Sequence, residues 1–339
     1  MTAIATYTDL TPDAFRDIVA QAQPALLKGV VADWPAVKAA QSSDRDVADY
    51  IKRFDSGKPA EVWLGEPQIQ GRFFYGDSLD KLNFRKAPAT LSATLDHLLS
   101  LADQDTPPSV YIQSTAVSAY LPDFTADNRL KLLPDVPPRL WVGNRLRVQT
   151  HYDPVDNIAC VVAGRRRFTL FPPQQVVNLY VGPFEKTVAG APVSMAPIEN
   201  PDFERFPRLR EALDHAITVE LEPGDGLFIP YFWWHHVQSL SAFNILVNYW
   251  WDEQPHQNAE AMDAFLHAVL ALRDLSPARR DIWKTMFEHY VFQANGDPMA
   301  HLPPGDRGAL GPMSDDALGQ ARRRLVERLF SRWAPPRRS

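Results

Sequence analysis

The chain of 339 residues has a single cysteine. It can therefore form no internal disulfide, and no CxxC pair is present to hold zinc. No apolar run approaches the roughly 18 residues of a bilayer-crossing helix, which argues against a membrane partner. Residues 1–15 have neither a basic start nor an apolar stretch, so no secretion signal is expected and the location expected is cytoplasmic. Positive charge is in deficit: 35 Lys and Arg stand against 41 Asp and Glu, a net charge of −6. That balance argues against general binding to a phosphate backbone, and no nucleic-acid partner is expected. Internal repeats and low-complexity segments are also missing, which excludes a repeat array.

What is present is an ordinary globular composition, 45% hydrophobic and 22% charged, long enough for a substantial core. The length allows one large domain or two small ones. Thirty prolines are spread along the chain, a pattern that fits short strands and turns better than a helical bundle. Nine Trp, eighteen Phe and ten Tyr point to aromatic-lined surfaces or a cavity.

Residues 1–140 read as mixed. Thr11-Pro12 opens a helix by the N-cap and N1 rule. Segments 24–31, 60–64, 71–75 and 110–113 read as strands, and 91–99 has helical spacing. Residues 139–251 are strand-rich, with strands expected at 146–153, 157–163, 166–171, 227–231 and 243–251. Gly164 and the run Glu222-Pro223-Gly224-Asp225-Gly226 mark turns. Many short strands joined in this way predict a sandwich or barrel. Residues 256–333 are helical, with apolar stripes through Met262, Phe265, Leu266 and Val269, then Ile282, Trp283, Met286 and Phe287. A third helix opens at Ser314. Cys160, inside an apolar run, behaves as a small hydrophobe.

The segment richest in chemistry is Gln149-Thr150-His151-Tyr152-Asp153. On a strand, residues i and i+2 share a face. His151 and Asp153 would then present an imidazole and a carboxylate side by side, with Tyr152 turned away. A third nitrogen ligand would complete the 2-His-1-carboxylate face of non-haem Fe(II) oxygenases. By itself a His-x-Asp carries little weight, because with nine His it arises by chance about as often as not. The third ligand is sought in Gly224 to Val237, where an apolar strand ends in His235-His236. Adjacent strand residues point opposite ways, so one of the two is the candidate.

In combination, these residues resemble the cupin-like JmjC group of Fe(II)/2-oxoglutarate oxygenases, nearest to its bacterial cupin-like members and its asparaginyl-hydroxylase branch. The matching pieces are His151-Tyr152-Asp153, the run from Gly164 to Pro173, Asn200-Pro201-Asp202-Phe203, the run from Gly224 to Val237, and Val247-Asn248-Tyr249-Trp250. The resemblance spans about residues 8–290. It implies a mainly β fold with flanking helices: a double-stranded β-helix, or jelly roll, with its core at about 110–251, and an α-helical C-terminal region. The cupin-like domain is expected over 1–255, and 256–339 forms a helical region that resembles a dimerisation element, implying a homodimer.

The resemblance makes His151, Asp153 and His235 the metal ligands, with His236 structural. It places the far carboxylate of 2-oxoglutarate on Arg166, where much of the family has Lys. A guanidinium on the apolar face of Phe168 and Leu170 needs an anionic partner to be buried. Tyr111 and Gln113 match a Tyr-x-Gln strand lining the same pocket, and Asn157 and Asn248 match amides near the metal-bound end of the cosubstrate. Val148 departs from a family Thr, removing one hydroxyl. The implied cofactors are Fe(II), 2-oxoglutarate and O₂. The implied activity is hydroxylation, first of a protein or peptide side chain, then of a small metabolite; a metal-binding cupin without oxygenase activity is the rival. Trp233, Trp234, Trp250, Trp251 and Tyr231 are expected to wall an aromatic groove, with 174–220 folding over the entrance. No reader module accompanies the domain, which sets histone demethylation behind the other readings.

Overall fold

A computed structural model describes residues 3–252 and 255–333. The chain divides into two compact units, Met1–Pro255 and His256–Ser339. Among its described residues, the first carries thirteen strands: β1 (Ala5–Tyr7), β2 (Ala25–Leu27), β3 (Ala60–Gly65), β4 (Arg85–Ala89), β5 (Ser109–Ala116), β6 (Pro138–Gly143) and β7 (Arg147–His151). Then follow β8 (Asp156–Ala163), β9 (Arg166–Phe171), β10 (Ile217–Leu221), β11 (Gly226–Ile229), β12 (Trp234–Ser239) and β13 (Asn244–Trp251). Its helices are α1 (Pro12–Ala20), α2 (Pro35–Ser42), α3 (Asp44–Lys52), α4 (Leu91–Leu101) and three short ones, α5 (Val117–Tyr120), α6 (Phe124–Asp127) and α7 (Leu209–Asp214).

The strands form two sheets. The major sheet runs β1-β2-β11-β8-β13-β6-β5-β3-β4 and the minor sheet β10-β9-β12-β7. All pairings are antiparallel except β1 with β2. The minor sheet faces β6, β13, β8 and β11, making the jelly-roll core. The mostly apolar β8 shows why: strand side chains alternate between faces. Ile158, Cys160 and Val162 join the helix-side core with Phe15, Val37, Ile51 and Leu95. Ala159 and Val161 meet Phe168, Leu170, Val219 and Val237 between the sheets. Cys160 is fully buried, and burial pushes its thiol pKa up. Thr11 caps α1 by accepting from the Ala14 N–H at 3.2 Å.

Three strand expectations change. Segment 24–31 is a strand only over Ala25–Leu27, because Gly29 turns the chain with φ 69°. Segment 71–75 makes only isolated bridges. Its apolar alternation is present, since Phe73 and Tyr75 are buried. However, the Asn83 side chain replaces a ladder strand: it accepts from the Phe74 N–H at 2.8 Å and donates to the Arg72 carbonyl at 2.9 Å. The third change concerns 224–237, which is two strands in different sheets. Pro230 and the left-handed Phe232 (φ 61°) divide β11 from β12.

The second unit holds α9 (Pro277–Tyr290), α10 (Asp315–Trp333) and all but the first residue of α8 (Pro255–Leu272). No residue of α9 is buried, and Ile282 and Trp283 are 64% and 44% exposed. Residues 334–339 lie outside the described residues, as do the side chains of residues 255–260 and 332–333. Among the described residues, no helix is long and apolar enough to cross a membrane.

Candidate metal centre

β12 lies between β9 and β7, and its register sets His235 directly opposite His151. The two rings are 4.2 Å apart between centroids. β7 carries one extra residue against β12: His235 pairs with His151, but Val237 pairs with Val148. This bulge puts Val148 and His151, three positions apart, on the same pocket wall. Asp153 lies just past the end of β7. The turn before β12 pins it, through the Phe232 N–H donating to the Asp153 carbonyl at 3.1 Å. His235 Nε2 then sits 3.6 Å from Asp153 Oδ2. Among the described residues, one group of potential metal ligands converges, His151, Asp153 and His235, with ligand atoms all within 4.8 Å of one another.

The donor set fits a metal. His235 Nδ1 donates to the Trp233 carbonyl at 3.0 Å, and His151 Nδ1 donates to the Gln149 carbonyl at 2.8 Å. A carbonyl only accepts, so each ring carries its proton on Nδ1 and leaves the Nε2 lone pair free. Burial, with a smaller contribution from His151, lowers the His235 pKa to about 4. The ring is therefore neutral and able to coordinate at pH 7.

His236 points elsewhere. It is 1% exposed, and its Nε2 lies 3.0 Å from Glu199 Oε1, off the directional geometry of a hydrogen bond. Burial works to raise the Glu199 pKa, but His236, the Glu199 backbone N–H and the Arg147 charge together bring the value down to about 2. Glu199 belongs to the long 172–216 connection, which lies along β7. Val193 bridges His151, and Gln149 Nε2 donates to the carbonyls of Ser194 and Ala196 at 2.9 and 3.1 Å. Sequence reasoning missed Glu199 and Gln149, since neither has a motif; only the packed connection brings Glu199 to His236 and its carbonyls to Gln149.

Next to the cluster is a pocket that Tyr111, Asn157, Arg166 and Asn248 all line. Gln113 is not among its lining residues; it lies beside the β5 bulge, where Ser114 has φ 47°. Arg166 is 3% exposed, and its Nε and Nη2 have no partner. Burial lowers its pKa to about 10, with Tyr111 opposing, so it stays charged at pH 7. Burial also raises the Tyr111 pKa. The turn feeding β9 needs Gly164: at φ +73°, a Cβ there would lie 2.4 Å from the Phe243 carbonyl oxygen. A buried cation with unpaired N–H groups is a place for an acceptor-rich anion.

The aromatic groove differs from expectation. Trp250 lines the pocket, but Trp233 and Trp234 are buried core residues. Trp251 packs on Phe15 and Phe228 at 6.0 Å. Tyr231 is 42% exposed outside the pocket. Adjacent strand residues point to opposite faces, so Trp233 and Trp234 enter different core clusters, as Trp250 and Trp251 part between the pocket and the helix-side core.

A family model described as a cupin-like domain matches residues 11–257. Lysine-specific demethylase JMJ31 of Arabidopsis thaliana is 36% identical over 127 residues, 37% of this chain and 23% of that protein. HSPB1-associated protein 1 of Homo sapiens is 36% identical over 135 residues, 39% of this chain and 27% of that protein. The chain thus spans about a quarter of the length of these two curated relatives. tRNA wybutosine-synthesizing protein 5 of Danio rerio is 26% identical over 316 residues, 81% of this chain and 84% of that protein. The chain belongs to the cupin-like JmjC family.

Proposed function

We propose that the protein is an Fe(II)- and 2-oxoglutarate-dependent oxygenase that hydroxylates a protein or peptide side chain. The observation that carries this reading is the convergence of two Nε2 lone pairs and a carboxylate beside a buried, uncompensated guanidinium. His151, Asp153 and His235 would hold the iron on one face, leaving positions open. Arg166 and Tyr111 would take the far carboxylate of 2-oxoglutarate, with Asn157 and Asn248 in the wall of the same pocket. Gln113 has no part in this arrangement. Bound iron supplies O₂ activation: 2-oxoglutarate is oxidised to succinate and CO₂, and one oxygen atom enters a substrate C–H bond.

The chain's own residues hold these groups in place. The Trp233 and Gln149 carbonyls orient the imidazoles, and Glu199 ties the 172–216 connection to β12 through His236. A cleft lined by apolar residues such as Phe74, Leu79 and Met195 and by the charged Arg72, Asp77, Asp202 and Arg205 supports a polymer side chain over a small metabolite. Arg72 Nε donates to Gln149 Oε1 at 3.2 Å, which ties that cleft to the residue holding His151. A second reading, oxidation of a nucleoside in RNA, is favoured by the long match to a protein named for tRNA modification. The net charge of −6 weighs against it. The reading includes a cytoplasmic location and a homodimer joined by the C-terminal helices.

An anaerobic titration with Mn(II) and then 2-oxoglutarate, followed by succinate release under O₂, tests the proposal. Metal binding without 2-oxoglutarate binding or turnover would leave a metal-binding cupin in its place.

A further inference from the structure

On the pocket side of the major sheet, three polar side chains form a chain of hydrogen bonds across adjacent strands. Trp141 on β6 donates its indole N–H to Asn248 Oδ1 on β13 at 2.7 Å. Asn248 Nδ2 donates to Asn157 Oδ1 on β8 at 3.1 Å. Both bonds join diagonal neighbours. Trp141 is opposite Leu246 while Asn248 is opposite Arg139, and Asn248 is opposite Ala159 while Asn157 is opposite Trp250. Diagonal pairs lie within reach of such side chains. All three residues line the pocket.

We infer that Trp141 is a positioning residue: it fixes the direction of both amides, so that Asn157 offers the pocket only N–H donors. An indole N–H donates and never accepts. It therefore forces Asn248 to present its oxygen toward β6 and its nitrogen toward β8. Asn157 must then accept with its oxygen, which leaves its NH₂ as the free end. Without the indole donor, the two amides could reverse together and turn an acceptor toward the ligand. Away from the metal ligands His151, Asp153 and His235, the buried pocket atoms without a partner, Arg166 Nε and Nη2 and Trp250 Nε1, are donors too. At this end of the pocket the wall selects an acceptor-rich anion and disfavours ligands that themselves donate there. The identity of that anion as 2-oxoglutarate rests on the proposed function; the direction of the amides does not.

The test has two parts. The first is side-chain amide NMR of the metal-free protein labelled with ¹⁵N-asparagine, comparing wild type with Trp141→Phe. The Asn157 NH₂ signal is expected to move although the two side chains share no hydrogen bond. Asn248→Asp, of the same shape, provides the same readout if Trp141→Phe does not fold. An acid at 248 still accepts from the indole but cannot donate, so the Asn157 NH₂ should turn inward and gain protection from exchange. If neither variant disturbs Asn157, the inference is overturned. The second part is a double-mutant cycle on Mn(II)-loaded protein titrated with 2-oxoglutarate. Trp141→Phe should weaken binding about tenfold in the wild-type background and less than about twofold in Asn157→Ala. Additive losses would make Trp141 a direct contact and also overturn the inference. If wild type binds no 2-oxoglutarate while the NMR response is seen, the proposed function fails and the amide direction stands.

Discussion

His151 and His235 are direct cross-strand partners on β7 and β12, and each holds its Nδ1 proton on the carbonyl two residues before it. That repeated local bond leaves both Nε2 atoms free beside Asp153. His235→Ala should therefore weaken Mn(II) or Fe(II) binding by more than about 100-fold. His236→Ala should leave metal affinity within about tenfold, yet lower stability by roughly 1–3 kcal/mol, because Glu199 loses its buried partner. Anaerobic metal titration and urea unfolding of both variants check the pair; iron binding retained by the 235 variant would sink the assignment.

Arg166 should show opposite signs in binding and folding. Arg166→Met removes a buried cation that has no counter-charge, so the ligand-free protein should gain roughly 1–4 kcal/mol. The same change should cost about 10- to 100-fold in 2-oxoglutarate affinity. Thermal unfolding with and without 2-oxoglutarate measures both, and a loss of stability in the ligand-free protein would contradict the account.

Acid should destabilise the metal-free protein in two steps. The His235 pKa is lowered from 6.5 to about 4, so between those values the unfolded chain binds the proton and the folded chain does not. Stability is then fully present above about pH 6.5 and declines as pH falls toward 4. Glu199, lowered from 4.5 to about 2, contributes stability above about 4.5 that is lost as pH falls through 2. Urea titrations from pH 8 to 3 should show the first decline beginning near 6.5. Bound metal should raise stability but extend that decline below pH 4, because it keeps the proton off His235 in the folded chain while the unfolded chain still takes it up.

The exposed apolar face of α9 leads to the homodimer prediction. Ile282 and Trp283 are too exposed for a lone helix face in water. Light scattering at micromolar concentration should give twice the chain mass, and Trp283→Glu should return it to one. A wild-type monomer would remove the prediction.

Much of the β core was legible in the chain. Arg166–Phe171 is a strand at the predicted limits, and 157–163 and 243–251 differ from β8 and β13 by one residue. Their apolar runs, bounded by turns, leave the backbone little choice. Segment 71–75 was misread because a side chain, Asn83, took over the backbone bonds that alternation predicts for a strand. The run to His235 was read as one strand because its apolar content is continuous, and composition does not show which sheet a strand joins.

The sequence by itself determined that His151 and Asp153 are neighbours and that a charged Arg166 lies in an apolar strand, since both follow from local spacing. Only the tertiary structure decided that His235, not His236, meets them, that His236 belongs with Glu199, and that Trp141, Asn248 and Asn157 form one hydrogen-bonded row. Each of these depends on register between strands distant in the chain. A one-residue slip in register turns every side chain to the opposite face, so the partner of a residue is set by the assembled sheet and not by its neighbours along the backbone.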